Sequence, residues 1–193
     1  LFLEWAAEVM EVGTQAIDER ILLSLRHADN PEELLGPPWL EQVGQDITAL
    51  GGNTVLTLLS VWVMIFLLLI HKRKLALVVL LATGGALLAS FMLKSGFDRA
   101  RPDLVTHATM VYTSSFPSGH SMLSASTYLT LGALLAQFQT SWQVKILIIC
   151  TSILLTVLVG ISRVYLGVHW QTDVVAGWTV GSARALRCCF LSR

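Results

Sequence analysis

Long stretches without a charged side chain constrain this sequence more than any other feature. Four stretches of roughly 17 to 25 residues contain no Asp, Glu, Lys or Arg. A helix needs about 20 residues, within a range of 17–25, to cross the hydrocarbon core of a bilayer. We therefore predict four membrane-spanning helices, centred on Thr54–Ile70, Leu75–Leu93, Ser121–Phe138 and Ile146–Ser162.

The composition agrees with a membrane protein and excludes other classes. Hydrophobic residues make up 54% of the 193 residues, charged residues 13%, and the mean hydropathy is +0.65. A soluble domain carries about 25% charged residues, so this chain has too few charges to cover a water-exposed surface. Disorder and a basic nucleic-acid-binding protein are excluded as well. The predicted fold class is all-α, a polytopic transmembrane helix bundle.

A fifth span is predicted at Val174–Phe190, although Arg184 and Arg187 interrupt it. Both arginines lie in its second half, where long side chains reach the membrane interface. Gly177 and Gly181 fit the small-xxx-small pattern of closely packed membrane helices. Five spans in this chain, which opens at Leu1 without a methionine, suggest six in the full-length protein.

The charges divide the chain and orient the predicted spans. Residues 1–52 hold ten acidic and two basic residues, whereas residues 53–193 hold three acidic and eleven basic ones. The loops predicted for one side carry seven basic and no acidic residues, and Lys and Arg mark cytoplasmic loops. The opposite loops, which include Asp98, Asp103 and Asp173, are then extracytoplasmic. We predict a multi-pass protein of the cell membrane.

The acidic segment 1–52 is predicted to lie outside the membrane core or at its interface. Glu4, Glu8 and Glu11 repeat at helical spacing, which indicates the end of a lost first helix or an interfacial helix. Prolines break the segment into pieces, and a surface helix is predicted at Trp39–Leu50. Residues 53–193 would form the transmembrane core.

Two of the outward loops hold nearly all the side chains suited to chemistry. The first runs from Lys94 to Arg101-Pro102 and on to Pro117-Ser118-Gly119-His120, and the second from Ser162-Arg163 through His169 to Asp173. Because the topology brings both loops to one face of the membrane, they are predicted to form one composite site.

The cations and the turn of this site suit a phosphate group. Lys94, Arg101 and Arg163 supply three positive charges, and guanidinium donors match phosphate oxygens in pairs. Ser118 and Gly119 precede a helical stretch, so backbone N–H groups at the helix N-terminus would face the anion, with Ser118 as a plausible N-cap.

The remaining polar side chains suggest a nucleophile and an acid. His169 and Asp173 are four residues apart, so they share a helix face and the carboxylate would fix the imidazole tautomer. The nearby cations would keep His169 unprotonated, and His120 would donate a proton to the leaving group. We predict displacement through a phosphohistidine, with no metal or cofactor because the cations neutralise the charge.

Each of these residues also has an ordinary interpretation. A basic residue at a membrane interface usually anchors topology, and a single histidine there is more often a hydrogen-bonded surface residue. That interpretation is kept for His27, His71 and His107, and the three cysteines show no redox or zinc pattern.

The combination resembles the type 2 phosphatidic acid phosphatase superfamily, whose motifs are K-x6-RP, PSGH and SR-x5-H-x3-D. All three are matched without a substitution across roughly residues 54–190. The resemblance implies that His169 is the nucleophile, that Asp173 orients it and that His120 is the general acid. It implies phosphate binding by the positions Lys94, Arg101, Ser118, Gly119 and Arg163.

The predicted function is hydrolysis of a lipid phosphate monoester or pyrophosphate at the extracytoplasmic surface. The partners are then the lipid phosphate substrate and membrane lipids, without nucleic acid. Phosphatidic acid, phosphatidylglycerophosphate and undecaprenyl pyrophosphate all fit the charge of the site. Two alternatives remain open, a phosphotransferase of the same fold and a non-enzymatic transporter.

Overall fold

The structure, a computed structural model, describes residues 12–30, 33–97, 99–102 and 114–192. The described residues form helices and no named strand, as the predicted fold class requires. In chain order the helices are α1 (Val12–Ser24), α2 (Pro38–Leu50), α3 (Asn53–Leu69), α4 (Arg73–Gly96), α5 (Gly119–Gln137), α6 (Trp142–Tyr165) and α7 (Gln171–Ser192).

Each of the five predicted spans coincides with one of the helices α3 to α7. By length and composition, α4 and α6 could each cross a membrane, and α2 with α3 form a third candidate that is bent by 43°. Helices α5 and α7 do not meet the same criterion among the described residues. Small and polar residues lower the hydropathy of both helices, and in α5 most of these residues are buried against neighbouring helices.

Helix α5 lies at the centre of the bundle, and α7 packs closely against it. Every residue from Ser121 to Thr127 is buried. A Cβ added at Gly177 would lie 2.6 Å from the backbone oxygen of Ser118, and one at Gly181 would lie 2.4 Å from that of Met122. The small-xxx-small pattern therefore marks the α5–α7 contact, as its spacing predicts.

A row of hydroxyl groups links three helices inside the bundle. Ser60 of α3 lies 2.7 Å from the Thr83 hydroxyl of α4, which lies 3.1 Å from the Thr127 hydroxyl of α5. All three side chains are buried. Such bonds hold helices together where lipid offers no hydrophobic driving force between them.

The segment before α3 docks on the end of α6. The Arg26 guanidinium donates to the backbone oxygen of Tyr165 at 3.0 Å, and the Tyr165 hydroxyl donates to that of Leu35 at 3.2 Å. Thr48 and Ser162 join their hydroxyls at 2.7 Å. The helix predicted at Trp39–Leu50 is confirmed as α2.

Some predictions fall on residues outside the described part of the chain. They are the first helix with Glu4, Glu8 and Glu11, the loop carboxylates Asp98 and Asp103, and His107.

The helix directions bring the motif-bearing ends together. Helices α4 and α6 end where α5 and α7 begin, so Lys94, His120, Arg163 and Asp173 lie at one end of the bundle. At the other end, Gln137 of α5 donates to the Ser192 hydroxyl of α7 at 3.1 Å. One composite site at one end is what the alternating loops predict.

We expect Gly181→Ala to lower the melting temperature of the detergent-solubilised protein. The new Cβ would lie 2.4 Å from the Met122 backbone oxygen and 2.7 Å from the Ala125 Cβ, so α5 and α7 must separate. Such overpacking costs typically about 1–3 kcal/mol. Thermal unfolding followed by circular dichroism measures the change.

Gly84→Ala in α4 is the matched control. A Cβ there meets nothing closer than the Leu80 Cδ1 at 3.8 Å, and alanine stabilises a helix interior by roughly 0.5–1 kcal/mol over glycine. The two substitutions should therefore shift the melting temperature in opposite directions. An equal rise in both variants would show that Gly181 does not set the helix contact.

Candidate active site

A cavity of about 490 Å³ opens at the end of the bundle where the motifs meet. It combines the predicted cations and both motif histidines with apolar side chains of α4 and α5. The lining residues are Asn53, Leu87, Ser90, Phe91, Lys94, Arg101, Gly119, His120, Leu123, Arg163 and His169. The structure thus places residues from Asn53 to His169 of the sequence around one space.

His169 forms the buried wall of this cavity, with only 1% of its surface exposed. Its Nε2 lies 3.4 Å from Nη1 of Arg101, which also donates to the backbone oxygen of Val168 at 3.0 Å. The backbone N–H of Val168 donates to the oxygen of Arg163 at 3.1 Å. Both motif arginines therefore contact the turn that carries the histidine.

Asp173 lies behind His169, away from the cavity, and is fully buried. Its Oδ2 lies 3.5 Å from Nδ1 of His169, accepts the backbone N–H of Trp170 at 3.0 Å, and accepts the Ser115 hydroxyl. The carboxylate therefore faces Nδ1 while Nε2 faces the cavity. The contact agrees with the four-residue spacing, but the predicted shared helix face is wrong, because α7 begins at Gln171 and His169 lies before it.

The surroundings of His169 favour the neutral imidazole. Its pKa is lowered from 6.5 to about 4, chiefly by burial and also by the charges of Arg163 and Arg101, against the opposing hydrogen bond and charge of Asp173. A buried charge is costly in a low-dielectric environment. The cations act in the direction that the sequence predicts, but burial has the larger effect.

Gly119 allows the first turn of α5 to approach the cations. A Cβ at this position would lie 2.9 Å from the Ser90 hydroxyl and 3.9 Å from the Lys94 Cε. A side chain at this position would require the Ser90 hydroxyl to move. The N-terminus of α5 therefore borders the cavity beside a lysine, a favourable place for an anion.

The predicted capping role of Ser118 is wrong. Ser118 precedes α5, but its side chain makes no capping hydrogen bond and instead accepts the Ser121 hydroxyl at 3.0 Å. Ser118 is fully buried, and its backbone N–H donates to the backbone oxygen of Asp173 at 3.0 Å. It joins α5 to the Asp173 turn from behind the cavity wall.

His120 reaches the cavity from α5 and lies close to the junction between α2 and α3. A Cβ added at Gly52 in that junction would lie 4.0 Å from the His120 Nε2. The neighbouring Asn53 also lines the cavity. The acidic segment therefore reaches the site through its last residues, a contact that the sequence alone does not indicate.

Four further residues of the site have no role in the sequence analysis. Arg99 and Ser115 belong to the first motif loop, and Thr172 to the second, whereas Asp18 lies in α1. Arg99 donates to both Asp18 and Asp173. Arg99 lies between the motif residues Lys94 and Arg101, and this position could have indicated a role for it. Nothing in the sequence connects Asp18 to a site more than 150 residues away.

Comparison with known proteins agrees with this geometry. Residues 73–191 match the family model described as the PAP2 superfamily. The chain therefore belongs to the PAP2 superfamily, the type 2 phosphatidic acid phosphatases that its motifs resemble. The phosphatase class predicted for the enzyme is confirmed at the level of this family and its named relatives.

Two named relatives are similar in sequence. Phosphatidylglycerophosphatase B of Bacillus subtilis is 37% identical over 185 residues, which cover 93% of this chain and 85% of that protein. Undecaprenyl-diphosphatase of Sulfolobus acidocaldarius is 43% identical over 68 residues, covering 35% of this chain and 29% of the relative.

Two crystal structures are similar in fold. A transmembrane PAP2-type phosphatidylglycerolphosphate phosphatase from Bacillus subtilis superposes with a TM-score of 0.86 at 33% identity, covering 97% of this chain and 90% of the other. LpxE from Aquifex aeolicus superposes with a TM-score of 0.64 at 25% identity, covering 88% and 90%.

We expect His169 to remain neutral between pH 8 and pH 5. Its pKa near 4 places the titration below this range, whereas an ordinary histidine would become protonated within it. Nuclear magnetic resonance of protein with labelled histidines measures this, with the signal assigned by its loss in His169→Gln. A titration of this signal between pH 6 and pH 7 would contradict the buried, neutral state.

Proposed function

We propose that this PAP2 protein is a membrane-embedded lipid phosphatase that works through a phosphohistidine at His169. The observation that carries the proposal is the position of this imidazole. Its Nε2 faces a cationic cavity while Nδ1 faces the carboxylate of Asp173. A neutral imidazole held by one nitrogen is free to attack phosphorus with the other.

The cavity is suited to the charge of a phosphate group. Lys94, Arg101 and Arg163 all line it, and the buried Nε of Arg163 has no hydrogen-bond partner in the described part of the chain. A buried donor without a partner is costly. A phosphate oxygen would satisfy it and would be attracted by all three cations.

In the proposed first step, Nε2 of His169 attacks phosphorus and the bond between phosphorus and the leaving oxygen breaks. The developing positive charge on the imidazole is balanced by Asp173 behind it. His120 gives a proton to the leaving oxygen, since the dianionic phosphate beside it favours the protonated imidazole.

In the second step, water attacks the phosphohistidine. His120, now neutral, accepts a proton from the water as the bond between nitrogen and phosphorus breaks. Inorganic phosphate leaves, and His169 returns to its neutral form. Lys94, Arg101 and Arg163 stabilise the negative charge on the phosphoryl oxygens in both steps.

The apolar part of the cavity wall supports the proposal of a lipid substrate. Leu87 and Phe91 of α4 and Leu123 of α5 line it, and Phe91 is 73% exposed at the bundle surface. Because α4 is apolar enough to cross a membrane, this opening would face lipid tails. A substrate could keep its tail in the bilayer while its phosphate enters the cavity.

The relatives suggest which lipids to test first. Phosphatidylglycerophosphate is the substrate class in the name of the relative that covers 93% of this chain, and a polyprenyl diphosphate is that of the shorter match. The distribution of basic residues supports a multi-pass protein whose cavity opens on the extracytoplasmic face.

The direct test is release of inorganic phosphate by the purified protein in mixed micelles with EDTA. We expect turnover of phosphatidylglycerophosphate, phosphatidic acid or a polyprenyl diphosphate. His169→Gln should reduce this turnover by at least about 10³-fold, because the nucleophile is lost.

His71→Gln is the matched control, since this exposed histidine follows α3 outside the cavity. It should leave turnover unchanged. Absence of activity on every lipid phosphate would contradict the proposed function. Equal activity in wild type and His169→Gln would contradict the mechanism while leaving the substrate class in place.

A further inference from the structure

A buried ionic chain runs from the N-terminal segment of the protein to the proposed active site. Asp18 of α1 and Asp173 of α7 are fully buried, and Arg99 between them is 5% exposed. Arg99 donates through Nη2 to Asp18 at 2.7 Å and through Nη1 to Asp173. One guanidinium thus joins two carboxylates that are far apart in sequence.

In this ionic chain, the two oxygens of the Asp173 carboxylate have different partners. Oδ1 accepts Arg99, whereas Oδ2 accepts Ser115 and the Trp170 N–H and faces His169. Arg99 therefore fixes the orientation of the carboxylate from the side opposite the imidazole. A rotation of the Asp173 carboxylate would break its hydrogen bond with Arg99.

Thr172 gives Asp18 a second connection to the same turn. Its hydroxyl donates to Asp18 Oδ2 at 2.7 Å, and its backbone N–H donates to Asp18 Oδ1 at 3.3 Å. Thr172, the residue before Asp173, is thus held by the Asp18 carboxylate, which also holds Arg99. Asp18 acts on both the side chain and the backbone of the turn.

The charges of this chain matter for the reaction. Without Asp18, Arg99 would neutralise Asp173 as a pair, and the imidazole would face little net negative charge. With Asp18, the three side chains carry a net charge of −1, which remains available to the imidazole as it becomes positive. Charges in a buried environment interact strongly. Asp18 therefore still acts on His169, although Arg99 and Asp173 lie between them.

We propose, on the basis of the function proposed above, that Asp18 is a positioning residue of the active site. It holds Arg99 and Thr172, and through them it fixes the orientation and the effective charge of Asp173 behind His169. The N-terminal segment is then part of the active-site architecture, and its docking through Arg26 on the end of α6 brings the carboxylate into place.

The test compares Asp18→Asn with Asp18→Glu and with Glu19→Gln, the exposed neighbour on the same helix. For Asp18→Asn we expect kcat to fall roughly 10- to 100-fold, the loss typical when a residue that orients a metal-ligating side chain is replaced. KM should stay within about twofold, because the cations of the cavity do not contact Asp18. The glutamate variant should recover part of kcat, and Glu19→Gln should match wild type.

A second readout separates positioning from a loss of folded protein. The Nδ1–H signal of His169 in nuclear magnetic resonance reports its contact with Asp173 and needs no substrate. This signal should shift in Asp18→Asn and remain unchanged in Glu19→Gln. An unchanged signal in Asp18→Asn, or a kcat within twofold of wild type, would overturn the proposal.

Arg99→Lys tests the same chain if Asp18→Asn does not fold. Lysine keeps the charge but loses the planar fork that bridges two carboxylates, so a fall in kcat and a shift of the His169 signal are expected. Wild-type values for both would overturn the proposal. Lack of turnover in wild type itself would instead contradict the proposed function, and the His169 signal would still test the ionic chain.

Discussion

The contact between His169 and Asp173 is the interaction on which the rest of the structure depends. Both side chains are almost completely buried, and burial makes a charged imidazole costly. The buried carboxylate of Asp173 is stabilised because Ser115, Trp170 and Arg99 all donate to it. The result is a neutral histidine in contact with a carboxylate, directed at a cavity lined by cations.

The packing of the bundle makes this contact possible. The motif residues come from the ends of four helices, so these ends must converge within a few ångströms. Close approach of α5 and α7 at Gly177 and Gly181, together with the hydroxyl row that begins at Ser60, holds the helices in register. Because the same helices carry the proposed catalytic side chains at one end, bundle packing and the geometry of the candidate site are coupled.

Much of this arrangement could be predicted from the sequence. Charge-free windows predict helices α3 to α7, because membrane spans depend on local composition. The spacing of His169 and Asp173 predicts that they meet, although His169 precedes α7 and does not share a helix face with Asp173. The motifs identify six of the eleven residues that line the cavity. The N-cap role predicted for Ser118 is wrong. A serine before a helix usually caps it, but here burial against Ser121 and Asp173 overrides that preference.

The remaining features depend on tertiary contacts that leave no pattern in the sequence. Asp18 lies among ten acidic residues of the N-terminal segment, and nothing distinguishes it from Glu19 until α1 is seen to dock beside Arg99. Whether α5 spans the membrane also depends on tertiary contacts, because its polar residues from Ser121 to Thr130 are mostly buried against neighbouring helices.

Rapid-quench labelling with a lipid substrate carrying radioactive phosphorus tests the central claim most directly. We expect a transient phosphoenzyme that is stable to alkali and labile to acid, with the label mapped to His169. Release of labelled phosphate in the first turnover without a labelled protein, or a label on another residue, would contradict it.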